Sequence, residues 1–144
     1  MKKYYFAHPT ESRKYLLKEI EVLKKECKIN LLNPFYDGPE KEQIQELDRQ
    51  GLEMHDYEKT IDPNFVVEKD LEEIRKSDGM IAVLDSNFSI GTHMEVCYAT
   101  LIGLPVFSVV LNGHDKHPFI QYFSSKVFTN FNDLITFLKE LDGV

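Results

Sequence analysis

A chain of 144 residues that is 42% hydrophobic, with seven tyrosines and ten phenylalanines, can build one domain around a real core without disulfides or metals. Its formal net charge of −7 argues against a nucleic-acid polymer as partner, because such binding needs a basic face to neutralise phosphates, although a small anion can still bind locally. Cys27 and Cys97 lack metal-ligand spacing, the histidines form no His-x-x-x-His pair, and neither a signal peptide nor an apolar run of membrane-spanning length is present. The expectation is a cytoplasmic protein with reduced thiols, no metal, no cofactor and no membrane contact.

In chain order, residues 4–7 read as a buried strand and 10–27 as a helix with Tyr15, Leu16, Ile20 and Leu23 at helical spacing. A second strand at 29–32 ends in Asn33-Pro34. Residues 36–63 are polar, with Ile44, Leu47, Gly51, Leu52 and Tyr57 forming one weak apolar stripe. This segment is either a lid or specificity insertion or a solvated helical hairpin. A helix over 64–76, a strand over 80–84, a helix over 92–102 and a strand over 106–111 follow. A short strand near 127–128 and a last helix over 132–141 complete the pattern. Such βα repetition with right-handed crossovers predicts a single-domain, doubly wound α/β fold, with a five-stranded parallel sheet of order 2-1-3-4-5. Ligands of such sheets bind beyond the carboxyl ends of the first and third strands. Those ends are Phe6-Ala7-His8-Pro9 and Asp85-Ser86-Asn87-Phe88-Ser89.

The run Ser89-Ile90-Gly91-Thr92-His93-Met94-Glu95 places a carboxylate in the first turn of the helix that follows the third strand. Thr92-x-x-Glu95 fits a capping box equally well, with Thr92 as the cap and Glu95 reaching back to an orphan amide. A second carboxylate, Asp70, falls among the apolar positions Phe65, Val66, Val67, Leu71 and Ile74 of the 64–76 helix. Burying a carboxylate costs several kcal/mol unless it is paired, so Asp70 bonds either a loop amide or a group across the sheet edge toward Glu95.

The combination Tyr5-Phe6, Val67-x-x-Asp70-Leu71-x-x-Ile74-x-x-Ser77-Asp78 and Gly91-Thr92-x-x-Glu95-x-x-Tyr98-Ala99-x-x-x-Gly103-x-Pro105-Val106 resembles the nucleoside 2-deoxyribosyltransferase family over almost the whole chain. It is similar also to the branch of that superfamily that hydrolyses deoxynucleoside 5′-monophosphates. The resemblance implies that Glu95 is the nucleophile on the anomeric carbon, that Asp70 assists it and the leaving base, and that Tyr5 helps hold Glu95. Cleavage of an N-glycosidic bond suits these residue types, since a carboxylate can trap an oxocarbenium-like state as a glycosyl ester and a second carboxyl can protonate the departing base. From the residues alone, Tyr5 is equally well a core aromatic.

Ser89 stands six before the nucleophile, where the transferases carry an aspartate and the similar hydrolases a serine that faces a 5′-phosphate. With the Gly91 and Thr92 amides at the helix start, it favours a nucleotide over a nucleoside. Phe6 and His8 are further candidate substrate contacts, and His8 and Arg13 are candidate anion groups. Ser124 and Ser125 lie where the family reaches into a neighbouring subunit, or form only a polar turn. His93 reads as a surface residue.

The expected activity is therefore cleavage of a 2′-deoxynucleoside 5′-monophosphate to release its base, in a homodimer or larger homo-oligomer whose partner is a small nucleotide or nucleoside. Base exchange on free deoxynucleosides is the alternative within the family, and a nucleotide-sensing module the alternative outside enzymes.

Overall fold

The computed structural model describes residues 1–37, 41–51 and 62–141. Five strands, β1 (Lys3–Ala7), β2 (Asn30–Leu32), β3 (Gly79–Leu84), β4 (Val106–Val110) and β5 (Lys126–Phe128), form one sheet in the order β2-β1-β3-β4-β5. All pairings are parallel, with Tyr5 opposite Leu32 on one side and Met80 on the other. The expected doubly wound α/β fold and strand order are thus observed.

Helices cover both faces. α1 (Leu16–Cys27) and α7 (Phe131–Leu141) lie on one, where Leu16, Leu23, Leu134 and Leu138 pack fully buried against Tyr4, Phe6, Ile81 and Val109. Each such leucine contributes about 1.5–3 kcal/mol by leaving water. α4 (Pro63–Arg75) and α5 (Ile90–Leu101) cover the other face, where Ile74, Val96 and Ala99 meet Tyr5, Ala7, Met80 and Ala82. Successive strand side chains point to opposite faces, so Tyr5 belongs to the α4–α5 layer and Phe6 to the α1–α7 layer.

Three short elements depart from expectation. The first helix is split: residues 10–12 form a 3-10 turn, α1 begins at Leu16, and Tyr15 is half exposed. α2 (Pro34–Asp37) and α6 (Pro118–Tyr122) open on Asn33-Pro34 and His117-Pro118. In each, a side-chain acceptor followed by proline satisfies or removes the first orphan amides, at Phe35 (3.0 Å) and Phe119 (3.2 Å). Within the 36–63 segment, α3 (Lys41–Gln50) buries Ile44 completely. Leu52, Tyr57 and the Leu47 side chain lie outside the described residues.

α4 opens on Asp62, whose carboxylate accepts from Asn64 N–H (3.0 Å), with Pro63 in the first turn. Its apolar face is narrower than the sequence suggested, since Phe65 and Val67 are each half exposed while Val66 and Ile74 are buried. α5 stops where Gly103 adopts a left-handed φ of 88° and Leu104 N–H returns to the Ala99 carbonyl (3.0 Å). Among the described residues no helix is long and apolar enough to cross a membrane.

Candidate active site

Tyr5 and Glu95 meet across the α5 face of the sheet. The strand places the Tyr5 ring in the core, fully buried, and its hydroxyl donates to Glu95 Oε2 at 2.5 Å. Glu95 therefore does not fold back as a capping-box partner. The cap of α5 is Ser89, three residues earlier than Thr92: its extended backbone (φ −144°, ψ 111°) leads into the helix and its Oγ accepts from Thr92 N–H at 3.2 Å. The Ser89 and Thr92 hydroxyls also bond each other at 2.8 Å.

Glu95, Asp70, Ser89, Gly91 and Thr92 all line one cavity of about 640 Å³, within the usual size of small-molecule sites. Asp70 comes from α4 and lines the same cavity, with its Oδ1 shielded from solvent. A carboxylate held on a buried tyrosine, facing a second carboxylate in a mostly apolar recess, can attack an electrophilic carbon while its neighbour manages a proton.

The remaining candidates divide. Phe6 is fully buried on the opposite side of the sheet and does not line the cavity; the parity of β1 assigns Tyr5 to the site and Phe6 to the core. His8 does line it, but as a neutral wall and not as an anion contact. Burial lowers its pKa from 6.5 to about 4, Nδ1–H donates to the Pro9 carbonyl (2.7 Å), and Nε2 accepts from Asn33 Nδ2 (3.0 Å). Arg13 is taken up by the Thr10 carbonyl (2.8 Å) and the Asp48 carboxylate, and it holds Asp48 below the usual carboxylate range.

Ser124 and Ser125 are not brought to the cavity of their own chain. Ser124 Oγ bonds Ser108 Oγ (2.7 Å), and Ser125 Oγ accepts from Val106 N–H (2.9 Å), closing the turn into β5. His93 is exposed, with Nδ1–H on the Ser89 carbonyl (2.8 Å). The sequence reading missed Tyr98, Phe35 and Glu11 in the cavity wall. Tyr98, whose hydroxyl accepts from Arg75 (3.0 Å), was findable as the residue one turn after Glu95; Phe35 depended on the unrecognised α2.

Among the described residues no group of three or more His, Cys, Asp or Glu side chains could hold a metal ion. A family model described as nucleoside 2-deoxyribosyltransferase matches residues 4–130.

The chain belongs to the nucleoside 2-deoxyribosyltransferase family.

This family of enzymes acts on small nucleosides or nucleotides. Among solved structures the chain is similar to a 2-deoxyribosyltransferase from the psychrotolerant bacterium Bacillus psychrosaccharolyticus, at 23% identity and a TM-score of 0.67, covering 92% of this chain and 90% of that one. It is similar also to the Clostridium botulinum CMP N-glycosidase BcmB, at 16% identity and a TM-score of 0.60, covering 98% of both chains. No curated relative matches by sequence.

Proposed function

We propose that this member of the nucleoside 2-deoxyribosyltransferase family cleaves the N-glycosidic bond of a 2′-deoxynucleoside 5′-monophosphate through a glycosyl ester on Glu95. The hydrogen bond from the buried Tyr5 hydroxyl to Glu95 carries the reading, because it fixes the carboxylate's rotamer before any ligand arrives. In the first step a Glu95 oxygen bonds the anomeric carbon while the carbon–nitrogen bond breaks; its electron pair leaves with the base, which takes a proton from Asp70. In the second step water, giving its proton back to Asp70, attacks the same carbon and frees Glu95.

The 5′-phosphate falls to the start of α5, where the helix dipole, the amides near Gly91 and the Ser89 hydroxyl favour an anion. A Cβ built on Gly91 would touch nothing within 4 Å, so a phosphate has open access to the backbone there. One observation favours the second reading, base exchange on free deoxynucleosides: among the described residues lining the cavity there is no lysine or arginine, whereas Glu11, Asp70 and Glu95 are acidic. The reading includes a cytoplasmic homodimer or larger assembly, in which Ser124 and Ser125 approach a neighbour's cavity.

Incubation with a panel of 2′-deoxynucleosides and their 5′-monophosphates, with and without a second free base, followed by chromatography, tests the proposal. Free base and deoxyribose 5-phosphate from monophosphates, at a kcat/KM well above that for nucleosides, are expected. Ser89→Asp flattens that preference by setting a second anion beside the phosphate. Turnover of nucleosides alone, dependent on an acceptor base, establishes the exchange reaction instead.

A further inference from the structure

The cavity runs along the carboxyl ends of three neighbouring strands, and the sheet order fixes what lies where. Pro34 and Phe35 follow β2, residues 8–11 follow β1, and residues 89–92 follow β3. Two strand spacings, about 10 Å, separate the outer ends, a span that accommodates a base and a pentose laid end to end. The β3 end presents hydroxyls and helix amides. The β1 and β2 ends present one flat ring each, His8 and Phe35.

Phe35 and His8 stand with centroids 5.0 Å apart, and His8 backs onto Phe6 at 5.2 Å. They are 8% and 3% exposed, so neither ring is free to swing. One buried residue holds both: Asn33 Nδ2 donates to His8 Nε2 (3.0 Å) while Asn33 Oδ1 accepts from Phe35 N–H (3.0 Å). Asn33 N–H is itself anchored on Asp37 (3.1 Å). A fixed aromatic wall at the end away from the donor-rich helix start suits a planar heterocycle.

Of the acidic residues that line the cavity, Glu11 is the one on the connection that carries His8, exposed on the 3-10 turn. Its position is set by its neighbours, since Arg13 donates to the Thr10 carbonyl and Ser12 Oγ donates to Asp85 (2.5 Å). Arg13 is committed to Asp48 and His8 is neutral, so among the described residues lining the cavity no cation balances Glu11 at the rim. An ionised carboxylate can only accept, so a base edge that satisfies it must carry N–H groups.

We propose that the substrate's base lies against the His8–Phe35 wall and that Glu11 selects bases bearing an exocyclic amino group. Asn33 is then the positioning residue of the wall. The proposal rests on the N-glycosidase reading for the placement of the pentose at Glu95.

Two measurements on the full chain test it: calorimetric binding of free adenine, cytosine, hypoxanthine and uracil, and cleavage of the corresponding 2′-deoxynucleotides. Wild type is expected to bind and process the amino bases about tenfold or more better than their oxo counterparts, and Glu11→Gln to bring that ratio to about threefold or below. Phe35→Leu is expected to weaken all four bases by about 5- to 100-fold with the ratio unchanged. Glu11 is exposed, so Glu11→Gln folds whatever Phe35→Leu does, and the ratio is read on it alone.

A wild type without amino preference, or an unchanged ratio in Glu11→Gln, overturns the selection. Unaltered binding in a folded Phe35→Leu, or no binding of any base to wild type, overturns the wall. Free-base binding needs no bond cleavage. Amino-base binding without any cleavage therefore refutes the N-glycosidase reading and leaves the wall in place, whereas cleavage indifferent to both variants refutes the wall and the Glu11 selection and leaves the N-glycosidase reading in place.

Discussion

Two carboxylates sit near the carboxyl ends of the central strands, one on each side of the sheet, and each is met by a tyrosine hydroxyl. On the α1 side Asp85 receives Tyr15, the fully buried Ser12 Oγ (2.5 Å) and Asn87 N–H (2.9 Å), while Asn112 Nδ2 holds its backbone carbonyl (3.2 Å). On the α5 side Glu95 receives Tyr5 and lines a cavity of about 640 Å³. The same pairing thus has two uses. Where protein donors converge on the acid it is a clamp that fastens the 3-10 turn to the end of β3. Where the acid borders a cavity shared with Asp70, it is the acid for which we propose a chemical role. Burial and the adjacent Asp85 raise the Tyr15 phenol above its ordinary pKa, so Tyr15 stays a donor to Asp85.

Substitution should separate the two acids. The largest effect is expected at Glu95: Glu95→Gln lowers turnover roughly 10⁴-fold or more while the melting temperature stays near wild type, because the nucleophile is lost and the Ser89 cap remains. Mass spectrometry of a trapped reaction then finds the sugar adduct on the Glu95 peptide in wild type and nowhere in the variant. Asp70→Asn follows, with base release slowed by a factor on the order of 10² to 10⁴, measured by single-turnover kinetics. If Asp85→Asn cost as much turnover as either, the division between clamp and chemistry would fail.

The pH dependence of stability comes next. The folded pKa of His8 is about 4 against 6.5 for the free side chain, so between these values the unfolded chain binds a proton that the fold refuses. Stability therefore falls as pH drops from about 6.5 to about 4, by on the order of 3 kcal/mol from this group, and the contribution levels off below. Urea unfolding across that window should show the loss in wild type and a flatter profile in His8→Gln. The smallest effect belongs to the clamp. Asp85→Ala leaves the buried Ser12 hydroxyl short of a partner and costs about 1–3 kcal/mol in thermal or urea unfolding, with kcat altered far less than in Glu95→Gln.

Much of this was legible in the sequence because strong local signals coincide there. The apolar run at residues 80–84, the turn before Gly91 and the punctuation at Gly103-Leu104-Pro105 fix a strand, a helix and the carboxylate between them. Asp70 was visible as a charge among apolar positions, although Phe65 and Val67 prove half exposed. What stayed hidden has physical causes. A parallel strand buried on both faces shows no alternation, so nothing in Tyr4-Tyr5-Phe6-Ala7 tells which aromatic faces which layer, and Phe6, a candidate substrate contact, lies in the α1–α7 layer away from the cavity. Ser89 and Thr92 are both good caps, and only the backbone decides between them. Helices as short as α2 and α6 have too few residues to show a period.

The hydrogen bond that aims Glu95 starts from the centre of the sheet, whereas Phe35, Thr10 and Glu11 stand on connections outside it. On the proposed reading, reactivity and selectivity are housed in separable parts, and changes in the connections should leave the Tyr5–Glu95 hydrogen bond in place. A library confined to residues 9–11 and 33–36 should yield chains that release different bases at comparable intrinsic rates, because Tyr5 on β1, Asp70 on α4 and Glu95 on α5 all lie outside both stretches.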